Sequence, residues 1–279
     1  MTTQVSVRRT VGDALAFVRA QWRIVLPLAG AAGLIQTLTL LAFGPNLAWL
    51  VILTIVSAIV FGALIRTALS GPGEVRGNIV GDAGRVAGAV AIVGVIVAIV
   101  SITLLYVAMS VIIAPYADEV RAAGQDQAAL SAIMQRAISA QPGTLFWAMT
   151  AWALVSFFLT SYFYLAAPAS VDARRVIVFR SWQWTNRHIL RVAGARILLL
   201  LPALLLTNAL ASIVGLGLGF TSDNLMALST QARANPAMFA VFYGIALFFQ
   251  IAVYAALEAG LSVALYRALK PSDGALPKT

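Results

Sequence analysis

The chain has 279 residues, of which 61% are hydrophobic and 10% charged, and it carries a net charge of +9. A soluble globular protein is about half apolar and about a quarter charged, so this composition excludes an ordinary soluble domain and points to a polytopic membrane protein. There is no cysteine, which rules out disulfides, thiolate metal sites and a cysteine nucleophile.

Arginine strongly outnumbers lysine, 17 to 2, a bias that fits a GC-rich bacterial genome. Near the N-terminus Arg8-Arg9 faintly suggests a twin-arginine signal, but an amphipathic stretch follows it, so an uncleaved cytoplasmic start is expected. Val7, Val11, Ala14, Leu15, Val18 and Trp22 share one helical face, with Arg8, Arg9, Asp13, Arg19 and Arg23 largely away from it. This predicts a helix lying in the inner membrane interface, capped by Thr10 with Asp13.

Six apolar runs follow, at about 24–43, 47–69, 87–113, 143–167, 190–218 and 237–268. Each is long enough to cross about 30 Å of hydrocarbon at about 1.5 Å per residue, and each must be helical because lipid cannot satisfy open backbone groups. The expected fold is an all-α integral membrane protein, a single transmembrane domain over 1–279 with six helices arranged as three hairpins and with cytoplasmic interfacial helices. With the N-terminus in the cytoplasm, sixteen Lys and Arg residues fall on the inner side and only Arg121, Arg136 and Arg233 outside. That positive-inside asymmetry places both termini in the cytoplasm of a bacterial inner membrane. The positive charge then reflects topology and anionic lipid, with no nucleic acid implied.

Each odd span is preceded by a polar cytoplasmic stretch. The second of these carries Gly73, Gly77, Gly81, Gly84 and Gly88, which reads equally as a closely packed helical glycine stripe or as a flexible loop. The third, from Val171 to Arg191, reads as helical, and its Trp182 and Trp184 suit a lipid–water interface. Arg174, Arg175, Arg180 and Arg187 accompany them as expected headgroup contacts. The outer stretches DQAALSAIMQRAISAQPG and DNLMALSTQARANPA repeat an Ala-Leu-Ser, Gln, Arg and Pro order. The first predicts a short helix capped by Asp126. Pro45, Pro142 and Pro236 are placed in the first turns of the even spans. Three copies of one hairpin unit would explain these echoes.

At Tyr164-Leu-Ala-Ala-Pro168, at Asp172 and from Val178 to Gly194, the chain resembles a bacterial six-span family. This is the membrane domain that accompanies some glycerophosphoryl diester phosphodiesterases, together with its free-standing relatives. Arg180, Ser181, Trp182, Thr185 and Arg191 match the family pattern; Trp184 stands where it has Leu, and Arg187 near its Gly. The family's phosphodiesterase chemistry belongs to a separate barrel of about 250 residues, for which the six spans leave no room. The resemblance therefore implies a non-enzymatic membrane module.

Residue patterns for chemistry are sparse. His188 is the one histidine, and no second ligand has metal spacing around it, so neither a metal nor a cofactor is expected. The glycine runs lack the strand, helix and lysine of a phosphate loop. What stands out is Glu258, inside the sixth span. With Gln250, Tyr254 and Ser262 it forms a polar stripe at spacings of four, flanked by Tyr243 and Tyr266. Such a face should point into the bundle. Glu258 lies about 13 Å above Arg267, at a depth comparable to Arg66 and Arg196. The first expectation is an ion pair with one of those arginines that locks the packing. The second is a transport route for a cation, proton or headgroup amine, for which Pro27 and Pro202 would interrupt spans one and five. A third is a protonated, hydrogen-bonded Glu258. The function expected is a lipid- or envelope-associated scaffold, or a subunit for a membrane-protein partner; the alternative is a small-solute or lipid transporter.

Overall fold

In the computed structural model, residues 6–74, 78–220, 230 and 233–271 are described. The described secondary structure is helical throughout, and six helices are long and apolar enough to cross a membrane: Val7–Phe43, Leu47–Ser70, Ile79–Ala123, Pro142–Asp172, Ile189–Gly217 and Pro236–Leu269. They match the six runs read from the sequence, with longer ends.

The first span, α1 (Val7–Phe43), starts at Ser6, whose hydroxyl accepts from Arg9 N–H at 3.4 Å. It stops at Gly44, which takes a φ of 68° that favours glycine. Thr10 and Asp13 thus lie inside the helix and do not cap it. The amphipathic stretch and the first span are continuous, bent where Gln21 takes φ −107° and ψ 17°. The second span, α2 (Leu47–Ser70), is capped by Asn46, which accepts from Trp49 N–H at 3.1 Å. Pro45 therefore precedes the cap and is not in the first turn. Gly71, at φ 88°, ends the helix.

α3 (Ile79–Ile113) takes up most of the glycine-rich stretch as regular helix; Gly77 lies outside the described residues. Gly81, Gly84 and Gly88 sit in it, but the close backbone approach comes from Gly62 on α2. A Cβ on Gly62 would lie 3.2 Å from the backbone of Asp82 and Ala83. α4 (Ala117–Ala123) and α5 (Gln127–Ala140) follow. Asp126 caps α5 as expected, accepting from Ala128 and Ala129 N–H at 2.9 and 3.1 Å. The second outer stretch falls largely outside the described residues.

The fourth span is interrupted. α6 (Pro142–Tyr162) gives way to a turn at Phe163–Leu165 before α7 (Ala166–Asp172) resumes. Pro168 has no N–H to offer the Tyr164 carbonyl four residues back, so regular helix fails there. α8 (Phe179–Asn186) and α9 (Ile189–Gly217) come next. α9 runs through Pro202 without a break. The sixth span is α10 (Pro236–Phe249), a π-helical turn at Gln250–Ala255, and α11 (Ala256–Leu269). Pro236 is at the first position of α10, where a missing N–H costs nothing.

The chain groups into two compact units where the sequence suggests one domain: residues 1–91 with 162–279, and residues 92–161. In the smaller unit the third span buries nothing in its most apolar window, so its side chains present a surface suited to lipid. The Trp152 indole donates to Ser101 Oγ at 2.9 Å, and Gln141 Nε2 to the Ile112 carbonyl at 3.1 Å. The larger unit holds two apolar clusters. One gathers Ala14, Leu165, Val192, Leu199, Leu261 and Leu265; the other Val25, Ala29, Leu64, Ile65, Val86 and Val263. Ala14 is fully buried there, with Val7, Val11 and Val18 packed against the cluster. The amphipathic face of α1 is thus largely filled by protein helices, while Leu15 and Trp22 stay half exposed.

Two close crossings hold α1 to the sixth span. A Cβ on Gly260 would lie 3.2 Å from Ala14 Cα, and one on Gly33 would lie 2.7 Å from the Gly244 carbonyl oxygen. A Cβ on Gly244 would overlap Thr37 Oγ1, a hydroxyl that donates to the carbonyls of Gly33 and Ala240 at 2.9 and 3.3 Å. Small residues permit such approach where lipid supplies no hydrophobic drive between helices. Gly244→Ala is expected to destabilise the protein by about 1–3 kcal/mol, the usual cost of overpacking, read as a lower Tm in detergent. Gly30→Ala, where a Cβ meets nothing within 4 Å, should leave Tm unchanged or slightly raised.

Candidate functional site

Charged groups inside apolar helices are costly and must be met by partners. Arg66 on α2 is buried, and its Nε and Nη2 donate to the Asp82 carboxylate at 2.7 and 2.8 Å. The same Nη2 donates to the Val171 carbonyl at 3.1 Å. Arg85, a turn further along α3, reaches Asp82 at 2.8 Å. One carboxylate that is 1% exposed therefore takes two guanidiniums and ties α2 and α3 to the end of α7. This corrects the expectation that Arg66 is a candidate partner of Glu258: its fork is occupied by Asp82. The clue in the sequence is Asp82 itself, an acid in the glycine-rich stretch with an arginine three residues on.

Arg196 lies within electrostatic reach of Glu258. Its charge acts on Glu258, Tyr164 and Tyr254 together. Its guanidinium carbon lies 4.7 Å from the centroid of the Tyr164 ring, a cation–π contact. The Tyr164 hydroxyl donates to the Glu258 main-chain carbonyl at 3.2 Å. Of the predicted stripe, Tyr254 and Glu258 join this cluster. Ser262 is buried and donates to the Ala259 carbonyl of its own helix at 2.9 Å. Gln250 opens the π-helical turn.

Two backbone irregularities flank the cluster, and neither is at Pro27 or Pro202. The π-helical turn ends three residues before Glu258, and the break in span four contains Tyr164. The groups freed by that break are met by Ser181: its Oγ accepts from Leu165 N–H at 3.1 Å and donates to the Tyr162 carbonyl at 3.3 Å. Thr185 in turn donates to the Ser181 carbonyl at 2.8 Å. Ser181 and Thr185, both fully buried, therefore have structural work in this chain.

The connector around α8 places its basic residues outward. Arg174, Arg175, Arg180 and Arg187 are exposed, and Arg174 takes a φ of 54° in the reversal after α7. Trp182 stays 39% exposed and stacks on Tyr162 with centroids 4.4 Å apart. Trp184 is more enclosed, 5.8 Å from the Tyr266 ring. The Tyr266 hydroxyl and the Lys270 ammonium both donate to Asp172, at 2.7 and 2.8 Å. The Asp172 carboxylate holds that ammonium above the usual lysine range. Arg267 donates to the carbonyls of Ala68 and Leu69 at 2.9 and 2.7 Å, at the end of α2. The start of α1 and the ends of α2, α7 and α11 thus meet at one end of the larger unit. His188 precedes α9 and gives its N–H to the Thr185 carbonyl at 2.8 Å.

No family model, curated protein or solved structure matches this chain.

Asp82→Ala is expected to cost about 3–5 kcal/mol, because it leaves the buried Arg66 charge uncompensated. Arg66→Met combined with Asp82→Leu should recover most of that loss. Thermal unfolding of the three proteins in one detergent measures both effects.

Proposed function

We propose that this chain is a non-enzymatic integral protein of a bacterial cytoplasmic membrane, a scaffold or partner subunit that holds anionic lipid on its inner face. In this reading the six spans form three hairpins with both termini in the cytoplasm. The observation that carries it is the gathering of basic residues from separate helices at one end of the larger unit. Arg9 and Arg267 line one cleft there, Lys270 is bonded to Asp172, and Arg174 and Arg175 follow directly in the chain. Exposed indole and guanidinium groups together suit a headgroup layer, and each basic residue near such a surface contributes about 1 kcal/mol. Kinship with the six-span membrane-domain family is part of the proposal, resting on Arg180, Ser181, Trp182, Thr185 and Arg191.

Glu258 is then a packing element, set among Arg196, Tyr164 and Tyr254. A second reading, transport along the Glu258 stripe, is favoured by one observation: the π-helical turn and the broken span four flank the same cluster, and such irregularities recur at binding sites in membranes.

Glu258→Gln separates the two. As a packing element its loss lowers Tm without affecting any flux in proteoliposomes; unchanged Tm with abolished solute or lipid flux would establish transport instead. For the lipid reading, Tm should rise when phosphatidylglycerol is added to detergent-purified protein. Replacing Arg174, Arg175, Arg180 and Arg187 by Gln should remove most of that rise.

A further inference from the structure

A second polar feature lies away from Glu258. Between the first turns of α1 and the last turns of α11 is a cleft of about 640 Å³, with Ala68 at the end of α2 contributing to its wall. Its size is within the range of about 300–1,000 Å³ typical of small-molecule sites. Arg9 and Asp13 line it from one helix, one turn apart, and Arg267 lines it from the other. Spaced four apart on one helix, Arg9 and Asp13 could pair with each other. Yet among the described residues neither forms an ion pair or side-chain hydrogen bond. Arg267 uses one nitrogen on the carbonyls of Ala68 and Leu69, and a guanidinium has five N–H donors.

The remaining lining is uncharged: Ser6 and Thr10 add hydroxyls, and Phe17, Gly260 and Val263 are among the apolar residues. Gly260 lets α1 and α11 approach closely, with Ala14 Cα 3.2 Å from a Cβ built there. The cleft therefore combines two guanidiniums, one carboxylate and an apolar wall.

We propose that this cleft binds a phosphodiester carrying a primary amine, in the form of a phosphatidylethanolamine headgroup. Arg9 and Arg267 take the phosphate oxygens through charge-assisted hydrogen bonds. Asp13 takes the ammonium, and the first methylenes of an acyl chain lie along Phe17 and Val263. A purely anionic headgroup would leave Asp13 facing negative charge, and a choline would offer Asp13 no N–H. The proposal rests on the chain being membrane-embedded, but not on the basic connector around α8.

The test is a titration of the full chain in detergent with short-chain phosphatidylethanolamine, phosphatidylglycerol and phosphatidylcholine, followed by thermal shift. Parallel titrations use glycerophosphoethanolamine and inorganic phosphate. Phosphatidylethanolamine should bind best. Arg9→Gln and Arg267→Gln should each weaken it by about ten-fold, as loss of a charge-assisted hydrogen bond implies. Asp13→Asn should abolish the preference over phosphatidylglycerol. Arg267→Gln also removes bonds to α2, so Arg9→Gln, at an exposed residue with no described side-chain bond, is the decisive variant. Affinity unchanged in Arg9→Gln, or no preference among the three lipids, overturns the proposal. Glycerophosphoethanolamine binding as tightly as the lipid would assign the same groups to a soluble phosphodiester and overturn the lipid form. The connector variant lacking Arg174, Arg175, Arg180 and Arg187 should keep this binding, so failure here and failure of the scaffold reading are distinguishable.

Discussion

The larger unit is organised around one buried guanidinium. Arg66 is covered by apolar helices, where a lone cation would cost several kcal/mol. Asp82 meets it with both carboxylate oxygens, and the Val171 carbonyl takes a further N–H. These three groups come from three helices far apart in sequence. Satisfying one charge thereby sets the approach of α2 to α3 and of both to α7. Gly62 is compatible with that approach because a side chain there would meet the backbone of Asp82 and Ala83.

The same demand for internal partners explains the segment around α8. Once Pro168 interrupts span four, the freed backbone groups have no water to turn to. Ser181 supplies both a donor and an acceptor, and its own helix is held against the break by that exchange. Ser170 repeats the device on the other side, accepting from Ile177 N–H at 2.8 Å. The result is a turn inside apolar surroundings that presents the Tyr164 ring to Arg196.

How much of this was legible follows from how local each cause is. The six spans and the Asp126 cap are read from residues within a few positions of one another, and they appear where expected. The partner of Arg66 was not legible, because Asp82 lies sixteen residues away in a stretch that reads as loop as readily as helix. The interruption of span four was not anticipated: the apolar run ends at 167, just before Pro168, whereas the chain breaks at Phe163–Leu165 and resumes as α7 once Ser181 closes the gap. The π-helical turn at Gln250–Ala255 carries no Pro or Gly, so composition gave no sign of it. Depth alone favoured Arg66 and Arg196 equally as neighbours of Glu258, and only the three-dimensional packing separates them, giving Arg66 to Asp82.

A π-helical turn holds one more residue than the α-helical turn it replaces, and the extra residue rotates everything beyond it by about 100°. In the sixth span that rotation falls between the Gly244 crossing and the Gly260 crossing, both made with α1. A straight α-helix of the same sequence could present one of these glycines to α1 but would turn the other aside. The surplus residue is thus a phase correction, letting one helix keep two appointments with its neighbour: deleting any single residue from 250–255 would return the turn to plain α-helix with both contacts kept, whereas a deletion elsewhere between the two glycines would turn one of them aside.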